Sequence, residues 1–152
     1  MFSQTAEYAL RAVTALAEAA ADMAASKRSS LSAAELAART QVPAQYLSKV
    51  MQQLTRAEVV TAQRGKYGGY CLSRSPQDIR LLDVVNAVDP VSRILKCPLD
   101  RPEHAHALCP LHREMDAALA EQERRLAGLT LACLLPDRPQ ARLSLPKSIR
   151  PA

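Results

Sequence analysis

Three of the four glycines in this 152-residue chain fall inside one short run, Arg64-Gly-Lys-Tyr-Gly-Gly69. Glycine is used where the backbone needs positive φ or close approach, so this run predicts a tight turn. It is flanked by Val59-Val-Thr61 and Tyr70-Cys-Leu72, two short runs rich in β-branched and aromatic residues. Together they predict a β-hairpin with a basic, glycine-hinged tip that carries Arg64 and Lys66.

What precedes the hairpin is helical. Ser32-Ala-Ala-Glu35 has the S-x-x-E form of a capping box and predicts a helix running to about Arg39. Thr40-Gln-Val42 reads as a turn, and Pro43 suits the first position of the next helix, where its missing N–H costs nothing. That third helix places Tyr46, Leu47, Val50, Met51 and Leu54 on one face. Ala44, Gln45, Ser48, Lys49, Gln52, Gln53 and Arg56 lie on the other. From Ser32 to Ser73 the order is therefore helix, turn, helix, strand, basic turn, strand, which is the pattern of a winged helix-turn-helix.

The flanking segments complete a mainly α chain with a small β-wing. Before the motif, Tyr8, Ala12, Ala15, Leu16 and Ala19 recur at three- and four-residue steps and predict an amphipathic helix of roughly 20 residues. Ser3 or Thr5 can cap it, with Glu7 in its first turn. After the wing, Ile79, Leu81, Leu82, Val84, Val85 and Val88 predict a short buried helix closed by Asp89-Pro90. Residues 91–110 hold three Pro, two Cys and two His and no sustained period. A long helix is expected from Leu111 to Leu134, with Leu111, Met115, Ala118, Gln122, Leu126, Leu129 and Cys133 along a seam suited to a partner helix. The expected organisation is a DNA-binding unit over 1–90, a Cys/His sensor loop over 91–110, a dimerisation helix over 111–135 and a disordered basic tail over 136–152.

In a winged helix-turn-helix the third helix enters the major groove of duplex DNA. Gln45 and Gln52 can bond adenine edges, and Ser48, Lys49 and Arg56 can reach guanine or phosphate. Arg64 and Lys66 on the wing can approach the minor groove or its phosphates. The formal charge of +5 suits a polyanion without specifying one. No apolar run reaches the roughly 18–20 residues of a membrane span. The first helix carries Glu7, Arg11, Glu18 and Asp22, unlike a secretory signal. A cytoplasmic location is expected, where cysteines serve as ligands or redox switches more often than as structural disulfides.

Cys97, His104, Cys109 and His112 have the spacing C-x6-H-x4-C-x2-H. Two thiolates and two imidazoles this close can ligate zinc or a small iron–sulfur cluster. His106 is a spare candidate. Cys97 and Cys109 could instead form a reversible disulfide with no cofactor. Cys71 and Cys133 are read as small buried hydrophobes.

The segments FSQTAEYALRAVTALA, VPAQYLSKVMQQLTRAEVVTAQRGKYGGYCLSRSPQDIRLLDVVNAVD and Cys109-Pro-Leu-His112 resemble the Rrf-two family of winged-helix transcription regulators (IscR/NsrR/CymR-like) over about residues 1–134. The resemblance implies a homodimer on a pseudo-palindromic operator, joined through the C-terminal helices and acting as a repressor. It also implies a cluster site whose relatives carry three cysteines spaced C-x5-C-x5-C. Cys97 and Cys109 match the outer two, but Glu103 holds the middle position. His104 can then supply the third ligand. His112, or Glu7 from the other subunit, can supply the fourth. The Cys-Cys-His-carboxylate shell that Glu7 completes would favour a 2Fe-2S cluster of raised potential. The alternatives are a partner-binding module stapled by structural zinc, or a cofactor-free thiol switch. A thiol–disulfide enzyme ranks last, because the chain has no C-x-x-C, and no enzymatic activity is expected.

Overall fold

The fold is described from a computed structural model, which covers residues 2–22, 30–65, 68–99, 101–104 and 106–136. Its elements are α1 (Gln4–Asp22), α2 (Ala33–Thr40), α3 (Ala44–Arg56), β1 (Val60–Gln63), β2 (Gly69–Leu72), α4 (Leu81–Val88) and α5 (Pro110–Ala127). Short 3-10 turns occupy Pro102–His104 and Leu131–Leu134.

Helix α1 is the central post. Ala6, Ala9, Ala12, Val13, Ala15, Leu16, Ala17 and Ala19 are all buried, and α2, α3 and α4 pack around them. Alanine at most of these positions lets neighbouring backbones approach closely. The core is completed by Leu36, Leu47, Val50, Met51, Leu54, Ile79 and Val84.

The expected capping box is present. Glu35 N–H donates to Ser32 Oγ at 3.3 Å, and Ser32 N–H donates to Glu35 Oε2 at 2.8 Å. Helix α2 ends at Gln41 in the left-handed region, with φ 56°. Thr40 is buried in the turn, where its hydroxyl donates to Leu36 O at 2.7 Å. Pro43 stands at the N-cap of α3, one place earlier than expected. Its ψ of 134° is extended, while its carbonyl already accepts Tyr46 and Leu47 N–H, each at 3.0 Å.

Strands β1 and β2 pair antiparallel, with Val60 opposite Leu72 and Gln63 opposite Gly69. Leu31 adds a bridge to Tyr70, its N–H donating at 3.0 Å and its carbonyl accepting at 2.7 Å. The wing is thereby fastened to the entry of α2. Gly69 sits where the backbones meet, at φ 153°, and a Cβ there would lie 2.3 Å from Leu31 O.

The long C-terminal helix is shorter than its apolar repeat implies. Helix α5 ends at Ala127, and Gly128 caps it. The chain then turns back on the core. Leu81 N–H donates to Leu129 O at 3.0 Å, and Leu131 N–H donates to Ile79 O at 2.8 Å. These bonds to another part of the chain replace the next helical turn. They remove Leu129 and Cys133 from the α5 seam. Leu126 and Leu131 are buried within the chain, while Leu111 and Met115 are exposed. Cys133 is exposed and Cys71 half-buried, so neither is the fully buried hydrophobe expected. Tyr46 is exposed as well, its ring 6.2 Å from that of Tyr8. The expected basic tail from residue 137 onward lies outside the described residues.

Candidate nucleic-acid interface and Cys/His centre

Helix α3 divides cleanly into two faces. Leu47, Val50, Met51 and Leu54 are buried, while Gln45, Ser48, Lys49, Gln52 and Arg56 are all exposed. The helix contains no carboxylate, so nothing on it repels a polyanion. Gln53 departs from the expected pattern. It is half-buried, and its carbonyl oxygen is buried without a hydrogen-bond partner among the described residues.

The wing stands beside the C-terminal end of α3. Gln52, Thr55 and Arg56 of the helix line an open cleft of about 330 Å³ together with Ala62 and Tyr70 of the strands. Arg64 is exposed at the start of the turn. Lys66 lies outside the described residues. Tyr46, expected on the apolar face of α3, is instead exposed. Its ring meets that of Tyr8 on α1, a neighbour only the fold brings near, rather than the core.

The second site is assembled from the 91–110 loop and the start of α5. Cys109 is the N-cap of α5, with extended φ −62° and ψ 161°, and Pro110 follows at the first helical position. His112 lies in the first helical turn, and its Nδ1 is 3.1 Å from Cys109 Sγ. Cys97 Sγ is 3.5 Å from His104 Nδ1 and 3.6 Å from His112 Nδ1. The ligand atoms of Cys97, His104 and Cys109 all lie within 4.8 Å of one another. Three of the four side chains singled out by spacing, Cys97, His104 and Cys109, therefore form one group, and His112 adjoins it through the two sulfurs. Glu7 does not join them within the chain. It is exposed on α1 and paired with Arg11 at 2.5 Å.

Both loop thiols are buried and free. Burial pushes the Cys97 thiol up. The Leu99 and Cys109 N–H groups, the Cys109 side chain and Arg101 together outweigh it and hold Cys97 below an ordinary thiol.

The loop is anchored to α5 by one charged clamp. Arg93 donates from Nε and Nη2 to Asp116 Oδ1 and Oδ2 at 2.7 and 2.6 Å. Ile94 N–H donates to the same carboxylate at 2.8 Å. The Arg93 bond, then the Ile94 N–H, hold the Asp116 carboxyl down to about 2.

The Rrf2 family model, described as an iron-dependent transcriptional regulator, matches residues 2–137. An rrf2-like protein of Rhodobacter capsulatus is 33% identical over 100 residues, which is 64% of this chain and 63% of that protein. This chain thus spans just under two thirds of that relative. The protein rrf2 of Nitratidesulfovibrio vulgaris is 30% identical over 104 residues, 68% of this chain and 69% of its own length. Among solved structures, T. potens IscR aligns with a TM-score of 0.69 at 22% identity, covering 96% of this chain and 93% of the other. CymR, the global cysteine regulator of B. subtilis, aligns at 0.66 and 21% identity over 87% and 93%. At such identities the solved structures establish a shared fold.

Proposed function

This chain belongs to the Rrf2 family of transcriptional regulators, and from that premise we propose that it is a sequence-specific, homodimeric repressor controlled by its Cys/His centre. The observation that carries this reading is the division of α3. One face is locked into the core, and the other offers Gln45, Ser48, Lys49, Gln52 and Arg56 to solvent. A rigid helix with an uncommitted face of amides and cations matches what the major groove presents.

In this reading Gln45 and Gln52 take adenine edges, and Ser48 and Lys49 take guanine edges or phosphate. Arg56 grips the backbone. Arg64 and Lys66 of the wing reach the adjacent minor groove or its phosphates. A second copy doubles the footprint and accounts for the apolar Leu111 and Met115 exposed on α5. Two recognition helices related by a twofold axis require a pseudo-palindromic site, with half-sites about one helical turn (~34 Å) or a multiple apart. The Cys/His centre sits at the N-terminus of the helix that carries the exposed apolar side chains, so its state bears on how two copies are held.

The test selects duplexes from a random pool with the full chain and measures affinity across a salt series. A palindromic site bound at least about 1,000-fold more tightly than bulk DNA at physiological salt is expected. Equal affinity for every duplex would overturn the reading.

A further inference from the structure

The 91–110 loop inverts the usual order of burial. Leu95 and Leu99 are exposed, at 90% and 51%, while Cys97 and Cys109 are buried at 3% and 7%. A loop ordered by the hydrophobic effect would put leucines inside. This one is ordered around sulfur.

The distances say what kind of group the sulfur serves. In a tetrahedral site with sulfur about 2.3 Å and nitrogen about 2.0 Å from the ion, neighbouring S and N ligands stand roughly 3.5 Å apart. The three sulfur–nitrogen separations here are 3.5, 3.6 and 3.1 Å. Ligands on the two irons of a binuclear cluster are held apart by the bridging sulfides and cannot be this close across the cluster. Yet Cys97, His104 and Cys109 offer ligand atoms all within 4.8 Å of one another, and His112 stands against both sulfurs. With each sulfur set against an imidazole, the arrangement does not separate two thiolates on one iron from two imidazoles on the other, as a two-iron cluster of this donor set requires. Cys97, His104 and Cys109 instead converge on one point.

From this geometry we infer a mononuclear metal site in which Cys97, His104 and Cys109 of a single chain hold one tetrahedral ion of the zinc class, and His112, which stands against both sulfurs, turns in to fill its fourth position. Two thiolates and two imidazoles are the donor set such an ion prefers. Each subunit is self-sufficient. Glu7 is engaged by Arg11 and is not needed as a ligand from a second copy. The ion ties the Pro102–His104 turn and the loop segment at Cys97 to the first turn of α5. Its occupancy would then set the loop's order. That last consequence rests on the regulatory reading above, but the site itself does not.

The test uses the full chain, expressed in iron-replete medium and purified anaerobically, with metal and acid-labile sulfide analysis before and after incubation with iron and sulfide. About one zinc per chain, no labile sulfide and no brown colour are expected. Cobalt replacement should give the intense d–d absorption of a tetrahedral ion. His104→Ala and His112→Ala should each weaken cobalt binding by more than the roughly 10–100-fold that loss of a mere outer partner costs. Glu7→Gln should leave stoichiometry unchanged. If an alanine variant fails to fold, His104→Cys should keep the ion and add thiolate-to-cobalt charge transfer. Two irons and two sulfides per chain would overturn the inference. So would a six-coordinate cobalt spectrum, or no spectral change in His104→Cys. None of these readouts involves DNA, so the site and the operator reading fail separately.

Discussion

Replacing Gly69 with alanine tests whether the wing is fastened to α2 as the fold implies. The added Cβ would lie 2.3 Å from Leu31 O, 2.6 Å from Leu31 C and 2.9 Å from Ser32 N. These are backbone atoms, and favourable carbon contacts begin near ~3.5 Å, so Leu31 must retreat by roughly 1 Å. Leu31 cannot retreat and keep both bonds to Tyr70, now 2.7 and 3.0 Å. Losing two hydrogen bonds costs about 2 kcal/mol in total. Forcing alanine to φ 153° adds about 1–3 kcal/mol. The expected destabilisation is about 3–5 kcal/mol, a large share of the ~5–15 kcal/mol of a typical domain. Urea unfolding of the full chain, followed by far-ultraviolet circular dichroism, measures it. Gly65→Ala is the internal control. Gly65 has φ 108° but nothing within 4 Å of a would-be Cβ, so it bears only the backbone strain. Equal costs for the two variants would refute the argument, because the difference between them is the Leu31 contact.

Three further outcomes follow from the same geometry. The double variant Lys49→Ala/Arg56→Ala should lower the slope of log affinity against log salt by about 2, near ~0.9 per phosphate contact removed; an unchanged slope would take those side chains off the DNA. Asp116 is held at about 2 by Arg93 and the Ile94 N–H. Its folded value is depressed, so its contribution is full above the unfolded carboxyl range and is lost as pH falls through about 2. The protection of the Ile94 amide, its exchange rate relative to the intrinsic rate at each pH, should hold at pH 4 and fall towards pH 2. Leu131→Ala empties a fully buried position and should cost about 2–5 kcal/mol, whereas Leu111→Ala, at 63% exposure, should leave unfolding nearly unchanged and weaken self-association in sedimentation.

The parts legible in the sequence are those governed by local chemistry. Ser32 and Glu35 satisfy each other across three residues, and Gly65, at φ 108°, answers a demand of its own turn; both announce themselves in one dimension. The end of α5 does not. Leu126, Leu129 and Cys133 keep a helical period straight through Gly128. What stops the helix is the hydrogen bonding of Leu129 and Leu131 to Leu81 and Ile79, partners some fifty residues distant in sequence. Gly128, the one glycine outside the wing, was the local sign of that break. Tyr46 falls on the apolar period but is exposed, because α1 brings Tyr8 to it rather than a closed core. At the Cys/His centre, spacing proposed four side chains, and the fold groups the ligand atoms of Cys97, His104 and Cys109 within 4.8 Å; Cys109 enters that group from the extended N-cap position of α5.

Under the proposed function, the Cys/His centre can influence the recognition helices in two physical ways, and magnitudes separate them. One runs inside the chain, from α5 through the Leu129–Leu81 bond into α4 and on to the α1 post. That route must move Val84 and Val85, both at most 2% exposed, against the alanine face of α1. Close-packed interiors of this kind resist displacement, and repacking them costs typically 1–3 kcal/mol at each site. A coupling free energy of about 1–3 kcal/mol would be consumed by it. The other route leaves the winged helix rigid and changes how α5 meets a second copy. Leu111 lies one residue from His112 and Met115 lies one from Asp116, so the Cys/His centre and the Arg93 clamp each adjoin one member of the exposed apolar pair. A small rotation of α5 there needs no core rearrangement. It is amplified by the lever of the domain into a change in half-site separation, which DNA's fixed helical repeat penalises steeply. Control by rigid-body reorientation of two copies is the route the energetics favour.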